Sequence, residues 1–398
     1  MSHSRSSDIS TALMKVTERP PAAMARGSGS LLWDEHGGRY LDFVQGWAVN
    51  CLGHAHPDLQ AALSAQSVQL WNPSPAFHNL PQSALAAAIV NECDLDRVFF
   101  CNTGAEANEG AIKLARKWGS QIGRRNGQAR HHVITTEHSF HGRTLATMAA
   151  SGKPSFRGMF PPLVPGFSHV PYGDLQAVRD AITAETVAIM VEPIQGEAGV
   201  IVPAAEYLPG LRALCDEYEL LLICDEVQTG LGRTCAMFAH LGSGVTPDIM
   251  TLGKGLGGGV PLSALVAKAA VSCFEPGDQG GTFNGNPLMC AVGLEVVRIL
   301  TSADFLRESA AIAEYLLNKL QRLAAQHGLR ETRGRGFLLA VQLPAPTAPA
   351  VRDRAQELGL LVNACQPDVI RLMPALNVTR EEVDEALDIM DVALSPTR

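Results

Sequence analysis

Residues 247–259 read PDIMTLGKGLGGG, a short apolar run that leads into a lysine surrounded by glycines. The glycines around Lys254 allow a flat ligand to approach the backbone closely. A lysine beside a desolvating or cationic ligand loses part of its affinity for a proton, which favours covalent chemistry with a carbonyl. Two other interpretations stay open: a lysine that extends from a flexible loop, and a dinucleotide-binding turn, although the GxGxxG spacing is absent.

The apolar run before this segment ends in an acid. Leu220–Cys224 leads straight into Asp225. A carboxylate at the end of a buried strand needs a partner, and a protonated ring nitrogen supplies one. An aspartate that caps the next turn is the alternative. Because Asp225 and Lys254 follow successive strands, the two together favour a cofactor with a cationic ring and a reactive carbonyl.

A third segment, residues 99–109, reads FFCNTGAEANE and predicts a strand followed by a helix. Backbone N–H groups of Gly104 and Ala105 at the start of that helix would bind a phosphate, helped by the helix dipole. Thr103 and Glu106 also have the spacing of a capping box, so ordinary helix initiation explains the segment equally well.

Around these segments the pattern predicts an α/β fold, with a mostly parallel sheet covered by helices. From about Val49 to Pro287 short β-branched runs alternate with amphipathic stretches. The predicted strands are Arg97–Cys101, His132–Thr135, Val187–Val191, Leu220–Cys224, Ile249–Thr251 and Leu262–Val266. Functional side chains of such sheets gather at the carboxyl ends of the strands.

Three units are expected along the chain. Residues 1–48 form an N-terminal segment that packs with the small domain, 49–288 a large cofactor-binding domain, and 289–398 a smaller α+β domain. The first unit contains a predicted hairpin, 31–43, with Gly37 and Gly38 as its turn. The last closes with a helix that Thr379 and Glu382 cap.

Composition narrows the class of partner. The chain has 398 residues, 46% of them hydrophobic and 18% charged, with a net charge of -8 and no run of lysine or arginine. This balance argues against nucleic acid and against an anionic membrane surface as partners. No apolar stretch is long enough for a membrane span. The nine cysteines form no C-x-x-C pair, so a soluble protein of the reducing cytoplasm is expected.

Two closely spaced histidines are candidates for metal ligands. His138 and His141 are three residues apart, but they fall in a glycine-containing loop without paired helical geometry or a Glu-x-x-His arrangement. We therefore expect no metal site.

With these features in place, the chain resembles the class III aminotransferases of fold type I, and most of all the acetylornithine aminotransferases of arginine metabolism. The resemblance covers nearly the whole chain. The motifs that carry it are Leu52–Pro57, Asn102–Arg116, Phe140–Thr144, Val191–Glu197, Asp225–Gly232, Lys254 with its glycines, and Thr282–Pro287.

The resemblance implies pyridoxal 5'-phosphate as cofactor and a set of residues that hold it. Lys254 would carry the cofactor as a Schiff base and then move the proton, and Asp225 would pair with the ring nitrogen. Further cofactor contacts would come from Gly104, Ala105, Phe140, Val227, Gln228 and Thr282. Thr282 would reach the phosphate of the neighbouring subunit, which implies a homodimer with its active sites at the interface.

It also implies a set of substrate-binding residues. Arg143 would bind a substrate carboxylate, and Arg371 the carboxylate of 2-oxoglutarate. Glu197 would pair with Arg371 and mask its charge while the amino donor binds. Without the resemblance, an ordinary ion pair explains either arginine. Gly281 stands where many acetylornithine enzymes have a serine that contacts the substrate.

Gly46 bears on the choice of amino donor. The related ornithine aminotransferases usually have a tyrosine at this position, and a glycine leaves room for an acyl group. The expected reaction moves the δ-amino group of N2-acetyl-L-ornithine to 2-oxoglutarate. The alternatives are another ω-amino donor (succinylornithine, ornithine, 4-aminobutyrate or diaminobutyrate), an aminomutase on the same scaffold, and a noncatalytic nucleotide-binding protein.

Overall fold

The computed structural model describes residues 12–19 and 22–395. The strands of this part are β1 (Met24–Ser28), β2 (Leu31–Asp34), β3 (Arg39–Asp42), β4 (Arg97–Cys101), β5 (His132–Thr136), β6 (Phe167–Val170), β7 (Thr186–Val191), β8 (Leu221–Asp225), β9 (Ile249–Leu252), β10 (Ser263–Ala267), β11 (Glu331–Arg335), β12 (Leu338–Gln342), β13 (Leu360–Leu361), β14 (Asn363–Gln366) and β15 (Val369–Leu372). The helices are α1 (Gln45–Ala48), α2 (Pro57–Ser67), α3 (Leu80–Val90), α4 (Gly104–Asn126), α5 (Leu145–Ala150), α6 (Leu175–Ala181), α7 (Tyr207–Tyr218), α8 (Pro287–Leu300), α9 (Phe305–Gln326), α10 (Ala348–Glu357) and α11 (Arg380–Leu394).

A seven-stranded sheet with the order β4-β10-β9-β8-β7-β5-β6 forms the centre of the molecule. Neighbouring strands from β9 to β6 run parallel, and β10 is antiparallel to both β9 and β4. The six strands predicted for this region are present, and the α/β architecture is confirmed. The prediction missed β6, because Ser168 and His169 interrupt its apolar pattern.

Both faces of this sheet are covered, which explains why its strands are apolar throughout. Leu221 and Ile223 of β8 pack with residues of α4 on one face. Leu222 and Cys224, which alternate with them, pack with residues of α7 on the other. This two-sided burial fixes the register of β8 and therefore the position of Asp225, its last residue.

Two smaller sheets complete the chain. The hairpin β2–β3 turns at Gly37, and Asp34 Oδ1 accepts hydrogen bonds from the backbone of His36 and Gly38. Strand β3 pairs in parallel with β13, which links the N-terminal segment to the C-terminal part of the chain. The other sheet has the order β11-β12-β15-β14 and carries Arg371 on β15. The domain boundaries at 48 and 288 stay a prediction.

The long helices hold the sheets together. Helix α8 packs against α2 and α3, and α9 packs against α11. Thr379 and Glu382 form the capping box expected at the start of α11. Among the described residues, no helix combines the length and the apolar character that a membrane crossing requires.

Candidate active site

The carboxyl ends of the central strands meet around one cavity. Asp225 ends β8, Lys254 follows β9 by two residues, Gly104 comes after β4, and Glu192 comes directly after β7. The cavity has a volume of about 280 Å³. Its lining residues are Gly104, Ala105, Asn108, Phe140, His141, Gly142, Arg143, Glu192, Glu197, Asp225, Val227, Gln228 and Lys254. Nine of the residues proposed from sequence therefore lie together: Gly104, Ala105, Phe140, Arg143, Glu197, Asp225, Val227, Gln228 and Lys254.

Asp225 is only 4% exposed and is held on both oxygens. Oδ1 accepts the backbone N–H of Val227 at 3.0 Å, and Oδ2 accepts the Asn108 amide at 2.8 Å. The ring nitrogen Nδ1 of His141 lies 2.7 Å from the same Oδ2. These contacts fix the carboxylate in the plane that the strand end dictates, with its charge directed at the cavity.

One acceptor position on Asp225 remains for a ligand. The hydroxyl of Thr251 lies 3.4 Å from Oδ1, but it lies 2.7 Å from Asn108 Oδ1 and has a single proton to donate. That proton goes to the shorter contact. Oδ1 of Asp225 therefore keeps a lone pair that a protonated ring nitrogen in the cavity can use.

Asn108, His141 and Thr251 were not identified from sequence as members of the site. Asn108 lies four residues after Gly104 on α4, so both occupy the same face of the helix. A polar side chain on a face that otherwise carries the buried Ala111 and Ala115 was the available signal. His141 had been considered only as a metal ligand, whereas its ring supports Asp225.

The amine of Lys254 is set up to react. Burial lowers the pKa of Lys254, opposed in part by the carboxylate of Glu197 and reinforced by the guanidinium of Arg371. Within residues 12–19 and 22–395, no acceptor or acidic group lies within hydrogen-bond or ion-pair distance of this amine. Lys254 also has φ +42, a left-handed backbone that non-glycine residues rarely adopt and that often marks functional positions.

The start of α4 forms the capping box that its sequence predicts, and phosphate binding at the same helix start stays a prediction. Thr103 Oγ1 accepts the N–H of Glu106 at 3.2 Å, and Glu106 Oε2 accepts the N–H of Thr103 at 3.1 Å, which is a capping box. The N–H groups of Gly104 and Ala105 have no partner inside the helix, as is usual for a first turn. A Cβ at Gly104 would lie 2.7 Å from Val227 Cγ1, so glycine is required for this close approach.

Arg371 is fully buried and borders the cavity through its contacts with two lining residues, Glu197 and Gln228. Its Nη2 donates to Glu197 Oε1 at 2.7 Å, and its Nη1 donates to Gln228 Oε1 at 3.0 Å. Burial alone would raise the pKa of Glu197, but the charges of Arg371 and Lys254 outweigh it and lower that pKa. The carboxylate of Glu197 therefore stays ionised and neutralises Arg371.

The contact with Arg371 also determines the orientation of the Gln228 amide. A guanidinium only donates, so the oxygen of Gln228 must face it. The amide nitrogen, Nε2, is then buried and has no hydrogen-bond partner among the residues that the structure describes. This free donor on the cavity wall needs an acceptor, and the phenolic oxygen of a bound pyridoxal ring is one.

Glu192 is buried and lines the cavity together with Phe140. Its Oε2 accepts the backbone N–H of Phe140 at 3.1 Å, which fixes the backbone at that residue. Burial raises the pKa of Glu192 to about 7, with the neighbouring His141 acting in the opposite direction. The carboxyl group therefore supports Phe140 rather than binding a cation.

Arg143 lies at the mouth of the cavity and is exposed. Its guanidinium carbon lies 5.6 Å from the centre of the Phe156 ring, a cation–π distance. The amine of Lys153 lies 5.7 Å from the same ring. In the part of the chain that the structure covers, Arg143 has no acidic partner, so its planar fork is available to a substrate carboxylate.

Three of the residues proposed from sequence are not among the lining residues of the cavity: Arg371, which contacts the lining residues Glu197 and Gln228, and Gly281 and Thr282. Gly281 and Thr282 are exposed and are not part of its lining. This placement agrees with a role at the cavity of a neighbouring subunit, which the single chain does not test. Among the described residues, no group of three or more His, Cys, Asp or Glu side chains could hold a metal ion.

Gly46 belongs to α1, a single turn with left-handed backbone. Gln45, Gly46, Trp47 and Ala48 all have positive φ, from +49 to +66. Glycine is the residue best suited to this backbone, so Gly46 has a conformational reason that is independent of any substrate. Gly46 is also absent from the cavity lining.

A helix start, a buried carboxylate with one free acceptor position and a lysine that has no polar partner among the described residues surround one cavity. This arrangement is that of a fold type I transferase that depends on pyridoxal phosphate. Comparison with known sequences agrees. The profile of the class III aminotransferases matches residues 13–394, and the chain belongs to that family. Its cofactor is pyridoxal 5'-phosphate.

Within the family, the chain is similar to enzymes of ornithine derivatives. It is 52% identical over 390 residues to acetylornithine aminotransferase 2 of Bordetella bronchiseptica, covering 97% of this chain and 98% of that protein. It is 50% identical over 385 residues to acetylornithine aminotransferase of Ralstonia nicotianae, covering 96% of each.

Solved structures include both kinds of enzyme. Ornithine aminotransferase from Toxoplasma gondii superposes with a TM-score of 0.91 at 34% identity, covering 96% of this chain and 93% of that one. N-acetylornithine aminotransferase from Stenotrophomonas maltophilia gives a TM-score of 0.81 at 38% identity, covering 94% and 95%. Sequence identity thus favours the acetylated donor, whereas the TM-score is higher for the ornithine enzyme.

Proposed function

We propose that this aminotransferase moves the δ-amino group of N2-acetyl-L-ornithine to 2-oxoglutarate, giving N-acetyl-L-glutamate 5-semialdehyde and L-glutamate. The observation that carries the proposal is the convergence of Lys254 and Asp225 on one cavity that Arg143 and Arg371 flank. Relatives about half identical to the chain are named for the same donor.

Each residue has a distinct task in this proposal. When bound, pyridoxal phosphate supplies a ring that accepts the electron pair released as a proton leaves the carbon of the donor, and it stores the amino group between the half-reactions. Asp225 keeps the ring nitrogen protonated, and Gln228 Nε2 donates to the phenolic oxygen. Because its pKa is lowered, the amine of Lys254 loses its own proton more readily. It can therefore take up the proton of the donor and return it.

The two substrates have different charges at the reacting end. The amino donor presents a neutral chain and a distal amine there, whereas 2-oxoglutarate presents a carboxylate. Glu197 neutralises Arg371 for the donor and moves away for the acceptor, so one arginine serves both. Arg143 binds the carboxylate at the other end of either substrate.

Assembly, location and pathway are further parts of the proposal. Exposed Gly281 and Thr282, which the cavity of their own chain does not use, support a homodimer in which Thr282 reaches the phosphate of the partner. Nine free cysteines support a reducing cytoplasm. The resemblance to acetylornithine enzymes supports a place in arginine biosynthesis.

The alternative that a specific observation favours is ornithine as donor, because the backbone superposes closely on ornithine aminotransferases. The test is a donor panel with purified protein and added cofactor, reading glutamate formation from 2-oxoglutarate. We expect acetylornithine to have the highest kcat/KM, ahead of succinylornithine, ornithine, 4-aminobutyrate and diaminobutyrate. A preference for ornithine would refute the donor, and turnover without 2-oxoglutarate would indicate an aminomutase.

A further inference from the structure

The guanidinium of Arg371 is surrounded by three oxygen acceptors, of which only one is charged. Glu197 Oε1 supplies the charge, and the amide oxygens of Gln228 and Asn363 supply the other two contacts. Asn363 Oδ1 accepts from Nε at 3.1 Å and from Nη2 at 2.8 Å. One edge of the guanidinium is therefore held by a neutral group.

The position of Asn363 is set by strand pairing. Asn363 on β14 lies directly opposite Arg371 on β15, and Ala340 on β12 lies opposite Arg371 on the other side. Directly paired residues of neighbouring strands point to the same face and lie within contact distance. The sheet thus presents the amide of Asn363 to Arg371 whether or not Glu197 is in place.

A fully buried arginine needs its donors satisfied, and a charge of the opposite sign beside it removes its attraction for a ligand carboxylate. If both fixed partners were acids, Arg371 would stay neutralised after Glu197 moved away. Two amides satisfy the N–H donors of Arg371 without neutralising its positive charge. Glu197 is then the one group among these three that neutralises Arg371.

We propose that Asn363 is the positioning residue that lets Arg371 accept a dicarboxylate: it orients the guanidinium without neutralising it. The inference rests on the proposed function, because it presumes that Arg371 binds the acceptor. Two properties of residue 363 matter for the affinity of the acceptor: its hydrogen bonds to Arg371 and its lack of charge. We infer that the lack of charge is the more important.

Asn363→Asp tests the importance of this neutrality. Aspartate has nearly the same size as asparagine and keeps an oxygen that accepts from Arg371, but it adds a fixed negative charge. We expect the affinity for a dicarboxylate to fall by about tenfold or more, since a charge-assisted contact is lost. The donor half-reaction should change far less, because Arg371 is already masked in that step. Asn363→Ser, which loses the contact without adding charge, should weaken dicarboxylate binding by a smaller factor.

The measurements are the dissociation constant of glutarate, an unreactive five-carbon dicarboxylate, by calorimetry, and the rates of the two half-reactions by single-turnover absorbance of the loaded enzyme. Asn318→Asp, an exposed substitution on α9, is the matched charge control. Selective loss of glutarate affinity and of the acceptor half-reaction in Asn363→Asp supports the inference. Glutarate affinity within about twofold of the wild type overturns it.

Equal losses in both half-reactions would also overturn the inference, because they would indicate a general structural role. Failure of the proposed function has a different signature. Wild-type protein that neither binds glutarate nor uses 2-oxoglutarate would refute the role of Arg371 itself, before any variant is compared.

Discussion

Nδ1 of His141 lies 2.7 Å from Oδ2 of Asp225, and both side chains are almost fully buried. Burial alone would lower the pKa of His141, but the hydrogen bond and the charge of Asp225 outweigh it and raise that pKa. The imidazole therefore binds a proton more readily beside the carboxylate. Together with the amide of Asn108, it holds the carboxylate of Asp225 in the lining of the cavity.

Asp225→Asn should keep the fold and the hydrogen-bonding size of the side chain but remove its charge. Without that charge the ring nitrogen is not kept protonated, and the ring accepts electrons poorly. We expect kcat to fall by at least about 100-fold, as for other groups that stabilise developing charge. The check is steady-state kinetics together with the cofactor content of the purified variant. Full activity with normal cofactor content would contradict the role of Asp225.

Glu192→Gln should stabilise the protein at alkaline pH. The pKa of Glu192 is raised to about 7 from 4.5, so below pH 4.5 the group is protonated in both folded and unfolded states and costs nothing. The destabilisation caused by burying its charge grows between pH 4.5 and pH 7 and reaches its full size above pH 7. Removing it should add up to about 3 kcal/mol to the free energy of unfolding at pH 8.

Denaturant unfolding of cofactor-free protein at pH 5 and pH 8 measures this effect. Glu314→Gln, at an exposed position of α9, is the control and should behave like the wild type at both values. A Glu192→Gln advantage that is equal at the two pH values would show that the buried charge is not its cause.

Glu197→Gln should leave Arg371 unmasked at all times. Glutamate then competes better with the ω-amino donor, because its carboxylate meets an uncompensated guanidinium. We expect the ratio of the donor rate to the glutamate rate, measured in separate half-reactions, to fall by about tenfold or more. An unchanged ratio would mean that the contact of 2.7 Å between Glu197 and Arg371 is structural only.

Mixing two inactive variants tests whether Thr282 serves the neighbouring subunit. In a hybrid of Lys254→Ala and Thr282→Ala subunits, one site would carry both defects and the other would be intact. Activity should therefore reappear after the subunits exchange, which rates before and after mixing will show. If Thr282 acts within its own chain, every hybrid site carries one defect, and mixing restores nothing.

The central strands and the ends at which the site forms could be predicted because both depend on local patterns. The buried runs before Asp225 and Lys254 are continuous and apolar, and each ends in one residue with a chemical task. The capping box of Thr103 and Glu106 was visible in the sequence for the same reason. Such features depend only on residues that are close together in the sequence.

The supporting residues could not be predicted because their roles arise only when distant segments meet. Asn108 is separated from Asp225 by 117 residues, and the contact between Gln228 and Arg371, which the sequence did not predict, spans 143 residues. Asn363 comes to lie beside Arg371 only through the pairing of β14 with β15. Polar side chains of this kind look like ordinary strand or helix residues until the packing is known.

Every step proposed for this enzyme requires that the amine of Lys254 holds the cofactor. The direct measurement is borohydride reduction of the loaded enzyme, followed by peptide mass spectrometry, with Lys254→Ala as the control. We expect a single reduced pyridoxal adduct on the peptide that contains Lys254, and no such adduct in Lys254→Ala. An adduct on another lysine in the wild type, or none under any loading condition, would contradict it.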